Sequence, residues 1–357
     1  MEKEIGVSKD FNAFELRNAI IQKDCFKANQ IVKYFDNNPK AGSLYSFLPL
    51  LFSYFQNLMI VHYTPQRGTE QGIASALDLR NTWGAKDYII GLKNFSLRAK
   101  ADNFSGEEYK NIESILSVYD FMLENNFSRK SLVISLGGGV ICDMGGYISA
   151  TYMRGIEFIQ VPTSLLAQVD ASVGGKVAIN HPKCKNMIGS FKSPYRVLID
   201  VEFLKTLAER EFKSGMGELL KHSFLTKDKK YLEYIENNVE KIKALDNEVL
   251  ENIVEQSIRI KKYYVDIDPF EKGERAFLNL GHTYAHALES FFAYKAYTHG
   301  EAVAKGIIFD LELSLLRGQI DEAYLERARN IFNLFNIDTD LIYLDLSLIH
   351  ISEPTRR

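Results

Sequence analysis

The chain has 357 residues, of which 46% are hydrophobic and 25% charged, and its formal net charge is −3. That length supports two domains and a sizeable core, and the composition is that of an ordinary globular protein. The slight acidity excludes a general nucleic-acid or anionic-membrane surface, while leaving room for a local basic pocket.

The opening stretch, MEKEIGVSKDFNAF, carries acidic residues and no apolar core, so no signal peptide is expected. The most apolar run, LYSFLPLLFSYFQNLMIV at 44–61, is interrupted by Pro49, Gln56 and Asn57. It reads as a buried segment rather than a membrane span. From there to about residue 200, short β-rich runs alternate with longer mixed ones. YIIGL (88–92), SLVISL (131–136), IEFIQV (156–161) and RVLID (196–200) read as buried strands. Between the first two, residues 107–126 show helical spacing of Ile112, Ile115, Leu116, Tyr119 and Leu123. Strand, helix, strand at this spacing implies a parallel α/β sheet.

After about residue 200 the strand signal fades. EFLKTLAEREFKSGMGELLKHSFL, KYLEYIENNVEKIKAL and NEVLENIVEQSIRIKKYYV read as amphipathic helices. The expected organisation is therefore an α/β half over 1–200 and a helical half over 201–357, with no internal repeat. The three cysteines, Cys25, Cys142 and Cys184, are widely spaced and form no Cys-x-x-Cys pair. A reducing cytoplasm is expected rather than a disulfide framework.

Four segments carry chemistry. SLVISL runs into GGGVICDMGGY, so Gly137, Gly138 and Gly139 stand between a strand and a helix start. Such a turn lets backbone N–H groups approach a phosphate at a helix N-terminus. It also serves as a plain strand-to-helix turn, and Cys142 stands where a G-x-G-x-x-G pattern needs its third glycine. In residues 161–191, Asp170, Lys176, Lys185 and Asn186 lie among Ala171, Ser172, Gly174 and Gly175. Small residues permit close backbone approach to a bound molecule and lysines offer charge to an anion, although a surface loop with an ion pair is the plainer reading. GMGELLKH puts Glu218 and Lys221 three residues apart on one helical face, usually a weak surface pair. Finally, three of the seven histidines, His282, His286 and His299, fall within LNLGHTYAHALESFFAYKAYTHGE. By spacing alone, His282 and His286 at i, i+4 form the first candidate metal pair, with His299 third. The H-E-x-x-H form is absent, and an ordinary structural role stays open.

Taken together, GGGVICD, YMRG, VPTS, VDASVGGK, KNMIGSF, GMGELLK, GERAFLNLGHT and HGEAVA resemble the 3-dehydroquinate synthase family of sugar-phosphate cyclases, in the family's order, from about residue 104 to about 310. The resemblance implies an N-terminal α/β, Rossmann-like domain that binds NAD and an all-α C-terminal domain that binds metal. It also implies an active site between them and a homodimer. It assigns Glu218, His282 and His299 to zinc (or cobalt) and turns His286 to the substrate. Glu107, Lys110, Gly138, Gly139, Asp143, Thr163 and Ser164 match its cofactor contacts. Arg154, Asp170, Lys176, Lys185, Asn186, Lys221, Lys261, Arg275 and Asn279 match its substrate pocket. Six of these are cationic, which suits a seven-carbon keto acid phosphate. The implied reaction oxidises and re-reduces one hydroxyl with NAD regenerated. It eliminates phosphate and recloses the opened ring by an intramolecular aldol step to 3-dehydroquinate, in the shikimate route to aromatic amino acids.

The chain departs from the family in three places. Residues 1 to about 85 do not match it. Cys184 stands where the family favours glycine. The final LIHISEPTRR looks unlike the helices before it, and the family's C-terminal paired lysines have no counterpart; Lys229–Lys230 lies before the histidines. These departures imply a truncated or non-native end, and keep an inactive, partner-binding paralogue as a reading of another class. A sibling cyclase acting on sedoheptulose 7-phosphate is the enzymatic alternative. A related metal-dependent alcohol dehydrogenase fits the pocket lysines less well.

Overall fold

The structure, a computed structural model, describes residues 12–37, most of 50–94, and 106–342. Its contacts divide the chain into two compact units, Met1–Ala101 and Asp102–Arg357.

In the first unit, α1 (Ala13–Ile21) and α2 (Cys25–Asn37) pack together around Leu16, Ala19, Ile31 and Phe35. Asn12 caps α1 by accepting from the Glu15 N–H at 3.0 Å, and Thr69 caps α3 (Glu70–Ala76) in the same way. The fourth helix, α4 (Ala85–Asn94), takes in YIIGL, which sequence periodicity reads as a strand. The correction has a physical reason. An apolar run of five residues fits either element, and packing decides. Here Tyr88 stacks on Tyr54 at 5.1 Å, and Tyr88 and Ile89 close over Val61, Ile73 and Ala85 at helical spacing. Of the apolar run 44–61, residues 44–49 lie outside the described residues, while Tyr54, Leu58 and Val61 are buried. Among the described residues, no helix is long and apolar enough to cross a membrane.

The second unit begins with a short 3-10 turn, Glu107–Tyr109, and α5 (Ile112–Glu124), which Asn111 caps. Strand β1 (Leu132–Gly137) leads through α6 (Gly139–Thr151) to β2 (Glu157–Pro162). The two strands pair in parallel from Leu132 opposite Glu157 to Gly137 opposite Pro162. The expected strand at 196–200 is reduced to β5 (Arg196–Val197), which joins β2 in parallel and ends there. The small-residue segment folds as an antiparallel hairpin, β3 (Lys176–His181) and β4 (Cys184–Phe191). Its strand alternation is masked in the sequence by lysines and glycines. Leu165 and Val169, in and just before a π-helical turn (Ala167–Ala171), already belong to the helical core.

That core is built by α7 (Glu209–Leu225), α8 (Lys229–Asn237), α9 (Val239–Lys243) and α10 (Asn247–Ile267). Three more helices complete it: α11 (His282–Phe291), α12 (His299–Leu316) and α13 (Glu322–Leu334). Asn238 breaks the expected helix 230–245 into two. Leu219, Leu220, Ile253, Leu288 and Ile307 are fully buried there, each contributing about 1.5–3 kcal/mol.

Two backbone contacts set the helix positions. A Cβ on Gly217 would lie 2.3 Å from the Gly300 carbonyl oxygen, and one on Gly300 would lie 1.8 Å from that of Ser214. On the other side of α12, a Cβ on Gly306 would lie 1.9 Å from the carbonyl oxygen of Gly281, whose own φ is +78°. Only glycine lets α12 touch both neighbours. Alanine at 217 or 300 is expected to destabilise the protein by about 1–3 kcal/mol or more through overpacking. Alanine at Gly68, where nothing lies within 4 Å, should change stability by less than about 0.5 kcal/mol. Urea unfolding midpoints compare the three.

Candidate active site

The glycine contacts bring three side chains together. Glu218 follows Gly217 in α7, His282 follows Gly281 as the first residue of α11, and His299 precedes Gly300 as the first residue of α12. Thr298 and Glu301 form a capping box that fixes the start of α12. Glu218 is fully buried, with Oε1 3.5 Å from His282 Nε2 and 3.3 Å from His299 Nε2. The ligand atoms of these three residues lie within 4.8 Å of one another. Lys221, one turn on, is in ion-pair contact with the other Glu218 oxygen. The pair read as a surface salt bridge from its spacing is thus wholly interior, where a carboxylate needs cations around it.

The proton positions follow from the neighbours. His282 Nδ1 lies 3.1 Å from the Leu280 carbonyl oxygen, which can only accept, so Nδ1 carries the proton and Nε2 presents a lone pair. Burial, aided by Lys221, lowers the His282 pKa to about 3, so this ring is neutral. Burial works against charge on His299 too, but the facing carboxylates of Glu218 and Glu289 hold its pKa up to about 10. Burial would also raise the Glu218 carboxyl, yet Lys221, His299 and His282 hold it well below the carboxylate range. Neither Glu218 oxygen accepts a hydrogen bond of good geometry. A buried carboxylate faced by two imidazole nitrogens is a donor set that suits a divalent metal such as zinc.

His286 is placed differently from the other two. Its ring is 5.4 Å from that of His282, but its Nδ1 lies 3.1 Å from Glu289 Oε2, and the ring borders a cavity of about 340 Å³. Lys176, Glu271, Asn279 and His282 line the same cavity. A second cavity of about 540 Å³ is lined by Asp143, Asp170, Lys176, Asn186, Lys261 and Arg275. Lys261 reaches it from α10, where Nζ donates to the Asp170 carbonyl at 2.7 Å and to its carboxylate at 2.5 Å. Burial lowers the Lys261 pKa, and Asp170 opposes that shift. Arg275 is held by the Pro269 and Gly174 carbonyl oxygens at 2.6 and 3.0 Å.

Around the glycine turn, Gly138 is the N-cap of α6 and supplies no capping side chain, while Thr163 N–H donates to the Gly137 carbonyl at 2.9 Å. Ser164 Oγ accepts from the Ala167 N–H at 3.3 Å. Buried Lys110 donates to Asp143 and Asn186, each at 2.6 Å. Burial raises the Asp143 carboxyl to about 6 against the pull of Lys110. Glu107 accepts from Asn180 at 2.9 Å and lies 3.8 Å from Lys185, whose Nζ sits 4.0 Å over the Tyr294 ring. Arg154 is exposed at the end of α6 and borders neither cavity.

Two residues escape sequence reasoning. Glu271 pairs with Lys176 and accepts from Asn279 Nδ2 at 3.0 Å, from a loop with no periodic signal. Glu289 is not singled out by the sequence, although it stands in an i, i+3 relation to His286.

Comparison with known proteins assigns the family. The models described as 3-dehydroquinate synthase N-terminal and C-terminal match residues 102–214 and 215–352. The chain belongs to the 3-dehydroquinate synthase family. It is 94% identical over 239 residues to the bifunctional 3-dehydroquinate synthase/phosphatase of Fusobacterium nucleatum, covering 67% of this chain and 36% of that protein. It is 42% identical over 272 residues to the 3-dehydroquinate synthase of Prochlorococcus marinus, covering 75% of this chain and 74% of that one. The chain spans about a third of the length of the Fusobacterium relative. It spans 61–65% of the length of several other curated relatives of the same family. A solved 2-epi-5-epi-valiolone synthase from Streptomyces hygroscopicus, with NAD+ and Zn2+ bound, shares the fold. Its TM-score is 0.66 at 24% identity over 77% of each chain. A 2-deoxy-scyllo-inosose synthase with carbaglucose-6-phosphate, NAD+ and Co2+ follows at TM-score 0.60 and 25% identity, over 69% of this chain and 67% of that one.

Beside the site, His222 is fully buried with Nδ1 2.6 Å from Ser257 Oγ, and burial with Lys221 lowers its pKa from 6.5 to about 3. The unfolded chain takes up this proton first as pH falls. The contribution of this residue to stability is therefore intact above about pH 6.5 and is lost by about 1.4 kcal/mol per unit down to about pH 3. Urea unfolding at pH 7 and 4.5 should show a larger loss for the wild type than for His222→Gln; equal losses would contradict it.

Proposed function

We propose that the chain is a 3-dehydroquinate synthase, a phosphate-eliminating carbon–oxygen lyase that converts 3-deoxy-D-arabino-heptulosonate 7-phosphate to 3-dehydroquinate and phosphate. The observation that carries the reading is the group of buried Glu218 with His282 and His299, beside two cavities lined by Lys176, Lys261 and Arg275. The names of its relatives support it.

Glu218, His282 and His299 would hold the metal; a carboxylate and two imidazoles leave coordination positions for substrate. Glu107, Lys110, Asp143, Thr163, Ser164 and the Gly138–Gly139 turn would hold NAD. The first N–H groups of the 13-residue helix α6 are available to an anion because Gly138 offers them no side-chain acceptor. When bound, the metal would polarise substrate hydroxyls and NAD would accept and return a hydride.

The remaining work falls to side chains of this chain. Lys176, Lys261 and Arg275 would neutralise the carboxylate and phosphate of the substrate, and they are pre-held by Glu271, Asp170 and two carbonyl oxygens. Asn279 would orient a hydroxyl. The His286 ring keeps its Nδ1 proton against Glu289, so Nε2 is the nitrogen that would exchange a proton. Arg154, Lys185, Asn186 and Lys221 complete the assignment, with Lys221 acting on the charge of Glu218. The reading includes a homodimer in a reducing cytoplasm; free Cys142 and Cys184 are in keeping with the latter.

Phosphate release from the keto acid phosphate, with catalytic NAD and zinc, tests the proposal. Turnover is expected. Release only from sedoheptulose 7-phosphate would make the chain a sibling cyclase, and release from neither would leave it an inactive paralogue. Glu218→Ala and His282→Ala should each abolish stoichiometric zinc, measured by metal analysis after dialysis. His286→Ala should keep zinc and lose turnover by about 10²–10⁴-fold.

A further inference from the structure

Glu289 stands out from the other buried acids. It lies on α11, 6% exposed, and no lysine or arginine pairs with it among the described residues. Its side-chain partners are two imidazoles. Oε1 lies 3.2 Å from His299 Nδ1, and Oε2 lies 3.1 Å from His286 Nδ1. His286 is one turn earlier on the same helix, and His299 begins the next helix. One carboxylate therefore joins a ring that faces Glu218 to a ring that borders the 340 Å³ cavity.

We infer that Glu289 is a positioning residue that sets the tautomer and orientation of both rings at once. The inference rests on the proposed metal site and deepens it. An ionised carboxylate accepts at both oxygens and donates at neither. Each ring facing it must place its proton on Nδ1 and present Nε2 on its far side. For His299, Nε2 is the atom 3.3 Å from Glu218 Oε1. For His286, Nε2 is left to the substrate cavity. A carboxylate bonded to the outer nitrogen of a liganding imidazole fixes its direction and makes it a stronger donor. Because both oxygens belong to one rigid group, the metal-facing ring and the substrate-facing ring cannot reorient independently.

Glutamine at this position separates the role from mere packing. It has nearly the same shape, but its amide has one accepting oxygen and one donating NH2. Whichever ring meets the NH2 must surrender its Nδ1 proton and carry it on Nε2, where it blocks the lone pair. The experiment uses full-length wild type, Glu289→Gln and Glu289→Ala. Cobalt affinity is measured by chelator competition and the bound ion's visible absorption is recorded; circular dichroism and melting temperature confirm the fold. Both variants are expected to bind cobalt about 10- to 100-fold more weakly, with an altered spectrum. At saturating cobalt, kcat should fall while KM stays near the wild-type value. If Glu289→Gln, folded, binds cobalt with wild-type affinity and spectrum and also keeps the wild-type kcat, the role of Glu289 is overturned while the metal site stands. If wild type itself binds no cobalt, the metal site falls and this inference with it.

Discussion

Two close glycine contacts hold the site together. Gly217 touches Gly300, and Gly281 touches Gly306, at distances where any Cβ would overlap backbone atoms. Each glycine at the site neighbours one of the converging side chains in sequence: Gly217 precedes Glu218, Gly281 precedes His282, and Gly300 follows His299. The closeness of the backbones is what makes the side chains meet. Helices separated by ordinary side chains sit 8–10 Å apart, roughly the reach that a carboxylate and an imidazole must otherwise span. Removing the Cβ atoms shortens that gap, and the first residues of α11 and α12 then point at one spot on α7.

The convergence would be costly without charge balance. Glu218 is a buried carboxylate and Asp170 a partly buried one, and each is matched by a buried lysine, Lys221 and Lys261. His282 stays neutral through burial, while His299 is drawn to its charged form between Glu218 and Glu289. The interior thus carries alternating charges rather than a single sign. Such a network is strained by the loss of any one member, because its partner is left unpaired. It also explains how a chain of net charge −3 keeps a cationic pocket: the acids that offset Lys176 and Lys261 lie beside them, not on the far surface.

Much of this was legible beforehand, for identifiable reasons. The β-rich runs at 131–136 and 156–161 are both found as strands and pair in parallel, but Leu132 and Ile134 of β1 are exposed, so that strand is not buried as its composition implies. The glycine turn after β1 is found at a helix start, as its composition implies. YIIGL misled because five apolar residues carry no period, and neighbours in its own unit chose the helix. The hairpin of β3 and β4 was hidden because its exposed faces carry Lys185, Asn186 and Met187, which break the alternation. Glu289 and Glu271 were missed because an acid on a helix or in a loop looks like solvated surface until its burial is known.

What the sequence by itself determined is the set of parts: a βα turn built of glycines, a run of amphipathic helices, and motifs in an order that assigns the family. Those properties are local or ordinal, and periodicity and spacing encode them directly. Which histidines face which acid was decided only by tertiary structure. Spacing of i, i+4 pairs His282 with His286, yet His282 Nε2 lies 3.5 Å from an oxygen of Glu218, 64 residues earlier in the chain. Helical spacing fixes neighbours on one helix only. The directions of nitrogens across three helices depend on how closely their backbones approach, and here that depends on the absence of a few Cβ atoms.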